Sequence, residues 1–154
     1  MVEEDLKEML ITGIAPEDLP SVVEIERASF TTPWSEISFF NELKNPRSIM
    51  RAARSGERII GYVCVSRILD EGHFLDLAVH PEFRRHGVGA ALVSHAVARL
   101  ADEGCKLVYL EVRASNEAAA RLYEKFGFER IGLRKNYYTS PGEDGVMMRL
   151  RLGG

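Results

Sequence analysis

Residues 75–93, LDLAVHPEFRRHGVGAALV, decide the fold. An apolar run is followed by a proline, a basic turn, two glycines and an apolar helical pattern. A strand, a basic glycine turn and a helix start in that order make an anion-binding device. Free backbone N–H groups and the positive end of the dipole meet at a helix N-terminus. Gly87 and Gly89 take away side chains that would hold a phosphate off those N–H groups. Arg84 and Arg85 add charge and donors. An ordinary strand–loop–helix joint, turned by its glycines, is the plainer reading of the same residues.

The rest of the chain fits around this unit. The 154 residues suit a single domain spanning 1–154 with a real core. Hydrophobic content of 45% and charged content of 28% are those of an ordinary globular protein. A net charge of −3 gives no global attraction to nucleic acid or membrane, so Arg84 and Arg85 read as a local site. The acidic start, MVEEDLKEM, lacks the apolar region of a signal peptide, and no apolar run is long enough to span a bilayer. The expected location is cytoplasmic. Cys64 and Cys105 fit no metal or redox spacing and read as buried thiols, with one disulfide between them left open.

Strands are expected over 10–14, 48–54, 58–68, 73–79, 106–113, 128–137 and 146–152. Helices are expected over 16–29, with Leu19, Val22, Val23, Ile25 and Glu26 on mixed faces, and from Ser35 to Asn45-Pro46. Two more follow at 87–103, closed by Gly104, and from Asn116 to Gly127. In the fourth strand, Leu75, Leu77 and Val79 are expected to share a face. Strands pair by hairpins first and then alternate with helices. That pattern gives a mixed α/β class: a mostly antiparallel twisted sheet of about seven strands, covered by helices on both faces.

Several residues could carry chemistry. Glu111 lies near the C-terminal end of a strand flanked by helices, where open α/β sheets bind ligands. It reads as a general base, or as a salt-bridge partner of Arg113 or another basic residue. Asp76 poses the same question and reads as structural. Tyr123 lies one step from the apolar stripe of its helix, either as a core phenol or as a proton donor. Asn116 caps a helix and has an amide for a ligand. Trp34, Tyr137 and Tyr138 either wall a groove or pack over the core edge. The four histidines show no ligand spacing, so no metal is expected. GVGAAL at 87–92 lacks the third small residue of a dinucleotide fingerprint, and no GK[ST] is present.

R-x-x-G-x-G at Arg84 to Gly89, after the strand LAV and a proline, resembles the acyl-CoA signature of the Gcn5-related N-acetyltransferases (GNAT). The order of elements resembles that fold. FTTPWS at 30–35, LEVRASN at 110–116, ARLYEKFGF at 120–128 and RKNYY at 134–138 resemble the RimI branch, the ribosomal-protein-alanine N-acetyltransferases. The resemblance implies acetyl-CoA as cosubstrate and a peptide or protein N-terminus as acceptor, for example that of a ribosomal protein. It implies that the backbone of Leu77, Ala78 and Val79 pairs with the pantetheine arm. Arg85, His86, Gly87, Val88, Gly89 and Ala90 would cradle the pyrophosphate, and Asn116 would contact pantetheine. Glu111 would be the general base and Tyr123 the general acid. Trp34, Tyr137 and Tyr138 would border the peptide groove. His80 departs from the aspartate of many relatives, and Tyr109 from a common aliphatic. A lysine or small-amine acetyltransferase of the same family fits the same cleft. A non-catalytic acyl-CoA-binding module is the alternative from another class.

Overall fold

The N-terminal half comprises a helix α1 (Val2–Lys7), β1 (Met9–Gly13), a 3-10 turn, α2 (Leu19–Ser29), α3 (Glu36–Lys44), β2 (Ser48–Ser55) and β3 (Arg58–Ile68). Then come β4 (Glu71–Val79), a second 3-10 turn, α4 (Val88–Asp102), β5 (Leu107–Arg113), α5 (Glu117–Lys125), β6 (Glu129–Thr139) and β7 (Gly142–Arg151). These elements come from a computed structural model that describes residues 2–139 and 141–153. One seven-stranded sheet runs β1-β2-β3-β4-β5-β7-β6. The mixed α/β class and the seven-stranded sheet match the expectation.

Three details depart from it. The acidic start forms α1, with Glu3, Glu4 and Asp5 in the first turn, where the helix dipole favours them. The helix expected from Pro16 divides into a 3-10 turn at Pro16–Asp18 and then α2. The Asp18 carboxylate bonds back to the Ala15 N–H at 2.8 Å and meets Arg54 at 2.6 Å, which holds the tight turn. β7 begins at Gly142, four residues before the expected start, because it follows β6 through a hairpin.

Helices cover both faces. On one, α4 and α5 pack Val88, Leu92, Val93, Ala96, Leu100 and Ala120 onto Val63, Val65, Val108, Leu110 and Met148. On the other, α2 and α3 pack Leu19, Val22, Val23, Ile25 and Phe39 onto Ala52, Tyr62, Cys64 and Ala78. Cys64 and Cys105 are both free and buried, so the disulfide left open by the sequence is not formed. No described helix is long and apolar enough to cross a membrane.

Two irregularities shape the centre of the sheet. β4 and β5 are parallel neighbours, as the α4 crossover between them requires. They pair only at Glu71↔Leu107, Gly72↔Val108 and His73↔Tyr109, and then part. On its other edge, β4 pairs antiparallel with β3 along its length, with a bulge between Cys64↔Asp76 and Val65↔Phe74. Leu75 is the extra residue. This corrects the expected face of Leu75, Leu77 and Val79: the bulge breaks the period of two, and Leu75 turns outward at 38% exposure. Phe74 takes its place beside Leu77 and Val79 against the α4–α5 side.

Leu92 is wholly buried between α4 and the sheet. Leu92→Ala is expected to lower the unfolding free energy by about 2–5 kcal/mol, read from urea denaturation.

Candidate active site

The parting of β4 and β5 opens a cleft of about 670 Å³. Phe74, Leu75, Asp76 and Leu77 of β4 form one wall, and Leu110, Glu111, Val112 and Arg113 of β5 the other. The start of α5 and the 30–34 loop contribute Asn116, Tyr123, Thr32 and Trp34, and β6 adds Tyr137 and Tyr138. The cleft thus brings together Glu111, Tyr123, Asn116, Leu77, Trp34, Tyr137 and Tyr138, residues the sequence had marked from five separate segments.

Glu111 lies on β5 opposite Met147 of β7, with its side chain 29% exposed. It does not pair with Arg113, which bonds the Pro141 carbonyl at 2.9 Å and meets Glu143 at 3.6 Å. The cation near Glu111 is Arg134, 4.0 Å away and half-exposed. At that distance and exposure the pair is weak and leaves the carboxyl able to change partners. The Tyr137 hydroxyl donates to Glu111, and this bond raises the phenol above its usual pKa. Tyr137 and Tyr138 meet edge to face with centroids 5.0 Å apart. Consecutive strand residues would point to opposite faces. Here Asn136 takes a φ of 54° and the β6–β7 register slips between Arg134 and Tyr138. That irregularity brings both rings to the cleft. Gly145 makes room for Tyr137: a Cβ on it would stand 3.0 Å from Cδ2 of that ring.

Tyr123 is 7% exposed, packed edge-on against Phe74 and Phe128 with centroids 5.8 and 5.6 Å away. Burial pushes its phenol well above the ordinary value, helped by Asp76 and Tyr138, so it stays protonated. Tyr123 is a core ring that also lines the cleft. Asn116 likewise keeps its capping role, its Oδ1 accepting the Ala119 N–H at 3.1 Å.

The glycine turn lies beyond the C-terminal end of β4 and outside this cleft lining. Arg85 and Gly87 take φ values of 66° and 83°, and Gly87 is the N-cap of α4. Left-handed backbone at the mouth of a fifteen-residue helix turns N–H groups toward one concavity. Arg85, His86 and Gly87 are exposed, Gly89 and Ala90 half-buried, while Val88 is buried in the core and offers backbone alone. Ala78 is also buried, on the α2 side. Arg84, which the sequence offered as a further donor for an anion, is also tied into the fold. Its Nε donates to the Val79 carbonyl at 3.1 Å and its Nη2 to Ser29 Oγ at 3.0 Å. These bonds tie the turn to the ends of β4 and α2.

A buried acid cluster floors the cleft on the α2 side. Glu26 is 1% exposed. Its carboxyl accepts from the Tyr62 hydroxyl and, at 3.0 Å, from the Trp34 N–H. Burial first, and then the neighbouring Glu26, push Asp76 up to about 9, so it holds its proton at neutral pH. The sequence placed Glu26 on mixed faces. Its spacing of four from Val22 and seven from Leu19 was the signal that it faces the core. Arg134 was also missed; its only sign was the motif RKNYY that it opens.

A splayed mixed sheet with a glycine turn into α4 is the arrangement expected from the resemblance to the N-acetyltransferases, and the comparisons agree. Residues 19–128 match the model of the acetyltransferase (GNAT) family, and the chain belongs to that family of N-acetyltransferases. It is 38% identical over 133 residues to a putative [ribosomal protein bS18]-alanine N-acetyltransferase of Bacillus subtilis (strain 168), covering 86% of this chain and 88% of that one. It is 37% identical over 144 residues to the [ribosomal protein bS18]-alanine N-acetyltransferase of Salmonella typhimurium, covering 92% and 97%. The crystal structure of the ribosomal-protein-S18-alanine N-acetyltransferase from Escherichia coli superposes with a TM-score of 0.87 at 33% identity, covering 95% and 96%.

The acid cluster carries a pH signature. A carboxyl raised from 3.8 to about 9 contributes stability that is full below the ordinary value and lost as pH rises through the folded one. Asparagine does not titrate and is close to aspartate in size. Asp76→Asn is expected to flatten the fall in stability between about pH 4 and pH 9, followed by chemical denaturation across that range.

Proposed function

We propose that this protein is a protein N-terminal acetyltransferase, moving acetyl from acetyl-CoA to an N-terminal α-amine, as of an alanine on a small-subunit ribosomal protein. The observation that carries the reading is the convergence of Glu111 and Tyr123 on one cleft walled by Trp34, Tyr137 and Tyr138. The names of the relatives support the acceptor.

The residues fit the cosubstrate. Past His73 the β5-side edge of β4 has no strand partner, so the backbone of Leu77, Ala78 and Val79 is available to an extended arm. The exposed left-handed turn at Arg85 and Gly87 suits a pyrophosphate, with Arg85 as its cation. Acetyl-CoA supplies a thioester carbonyl and a thiolate leaving group. An α-amine with a pKa of about 7.7–8.0 is mostly protonated at neutral pH and must lose a proton to attack. Glu111 takes it, directly or through a water, from a position fixed by a strand. A backbone N–H of β4 near Leu77 serves the oxygen that gains charge. Tyr123, kept protonated by burial, donates to the sulfur as the C–S bond breaks. No side chain needs to carry the acetyl group, and transfer is direct in a ternary complex. A lysine ammonium, at about 10.4, is harder to deprotonate with the same carboxylate, which favours a chain terminus.

A peptide with a free N-terminal alanine is expected to be acetylated, and the same peptide blocked at its terminus but carrying lysine is not. Acetylation of the blocked peptide alone would overturn the reading. Glu111→Gln should lower kcat by about 10²-fold or more while acetyl-CoA binding, measured by calorimetry, is retained. Wild type that binds acetyl-CoA and turns over no amine would favour a binding module. Gly145→Ala should displace Tyr137 and raise the peptide KM with little change in the acetyl-CoA KM.

A further inference from the structure

We infer that Glu26 is a positioning residue of the acceptor site: it fixes the loop of residues 30–35, and through that loop the Trp34 wall of the cleft. The role of the loop as an acceptor wall rests on the proposed function; the anchoring itself does not.

Two donors converge on this one carboxyl group, one on each oxygen: the Tyr62 hydroxyl from β3 on Oε1 and the Trp34 N–H from the loop on Oε2. The first belongs to the sheet and cannot move without deforming it. The second belongs to a loop whose Thr31, Thr32 and Pro33 are exposed. Glu26 thus fastens a polar loop to the sheet from beneath. A buried carboxyl is costly unless its lone pairs are occupied. That cost is what makes the loop's N–H hard to release, since letting go would leave a carboxyl oxygen unpaired at 1% exposure.

The side chains follow the same line. The Trp34 ring lies 5.1 Å from Phe39, and Phe39 lies 5.7 Å edge-on from Tyr62, which bonds back to Glu26. The loop root is held separately, where Arg84 donates to Ser29 at the end of α2. Phe30, Thr32 and Trp34 then face the cleft across from Tyr137 and Tyr138. Glu26 itself is not a base for the acceptor, because its oxygens are already engaged and it is closed to solvent.

Glutamine in this place separates anchoring from mere filling. It is the same size, but has one acceptor oxygen and an NH₂ that cannot accept. It cannot receive Tyr62 on one oxygen and Trp34 on the other, and the loop is the partner free to leave. Asp76→Asn leaves the Glu26 carboxyl and both of these donors in place.

Trp34 is the single tryptophan of the chain and reports on the loop directly. In Glu26→Gln its emission is expected to shift to longer wavelength and its acrylamide quenching to rise, while far-UV circular dichroism stays that of wild type. Asp76→Asn should quench like wild type. With an alanine-terminated peptide, Glu26→Gln should raise the peptide KM about tenfold, with the acetyl-CoA KM within about twofold. Unchanged quenching in a folded Glu26→Gln, or a parallel rise of both KM values, overturns the inference. In the wild-type protein, hydrogen exchange should show the Trp34 amide protected. Exchange at the rate of an unstructured amide overturns the inference even where Glu26→Gln does not fold. If wild type acetylates no peptide, the proposed function fails, and quenching and exchange still decide the anchor.

Discussion

β4 and β5 run parallel, pair at three rungs and then part. Everything that could act in this molecule depends on that separation. A parallel pair joined by a helix is normally closed along its length, and its backbone groups are consumed in the ladder. Here α4 enters the sheet from one face and holds the two strands together only at their start. The bulge at Leu75 adds twist to β4, and β7 draws β5 the other way through a seven-residue antiparallel ladder. The result is a gap in the middle of an otherwise continuous sheet. Its floor is helix and side chain, and one of its edges is bare backbone. Unpaired backbone in such a place needs a partner. An extended ligand arm supplies one without any change in the sheet.

The two sides of the gap have opposite electrostatic characters. On the β5 side, Glu111 is part-exposed, touched by a tyrosine hydroxyl and a loosely held arginine. On the β4 side, Glu26 is buried with a donor on each oxygen, and burial together with Glu26 keeps the half-buried Asp76 protonated. A carboxyl that is to exchange protons with a substrate has to be reachable and incompletely satisfied. A carboxyl that is to hold structure has to be enclosed and saturated with donors. The same residue type serves both ends because its surroundings differ, and the geometry alone tells them apart.

Much of this was legible in the chain. The strand, turn and helix of 75–93 were legible because glycine and arginine spacing acts over a few residues. Glu111 stood out as a carboxylate in a covered strand, and Tyr123 as a phenol beside an apolar stripe. The illegible parts are long-range. The bulge at Leu75 depends on register with β3, which no local pattern fixes, so the alternation 75, 77, 79 misled. Arg84 looked like a phosphate ligand because its neighbours do. Only the fold brings Ser29 within 3.0 Å of it and reveals a brace. Glu26 and Asp76 lie fifty residues apart in sequence, and nothing short of tertiary structure makes them a pair.

These separations also divide the work among parts that can vary independently. The cosubstrate would be gripped largely by backbone, at β4 and at the mouth of α4, where side-chain identity matters little except at glycine. The groups proposed to handle protons stand on β5 and α5, elements held by the apolar core beneath them. The walls that an acceptor would meet come from a loop and a hairpin at the edges of the gap. Each edge is tied to the sheet by its own fastening, Glu26 for one and the Gly145–Tyr137 contact for the other. A change in the 30–35 loop leaves Glu111 and Tyr123 where they are, whereas Arg134 and Tyr137 of the hairpin both meet Glu111. Acceptor range in this scaffold would therefore drift most freely in residues 30–35, where it can change without altering the surroundings of the proposed base.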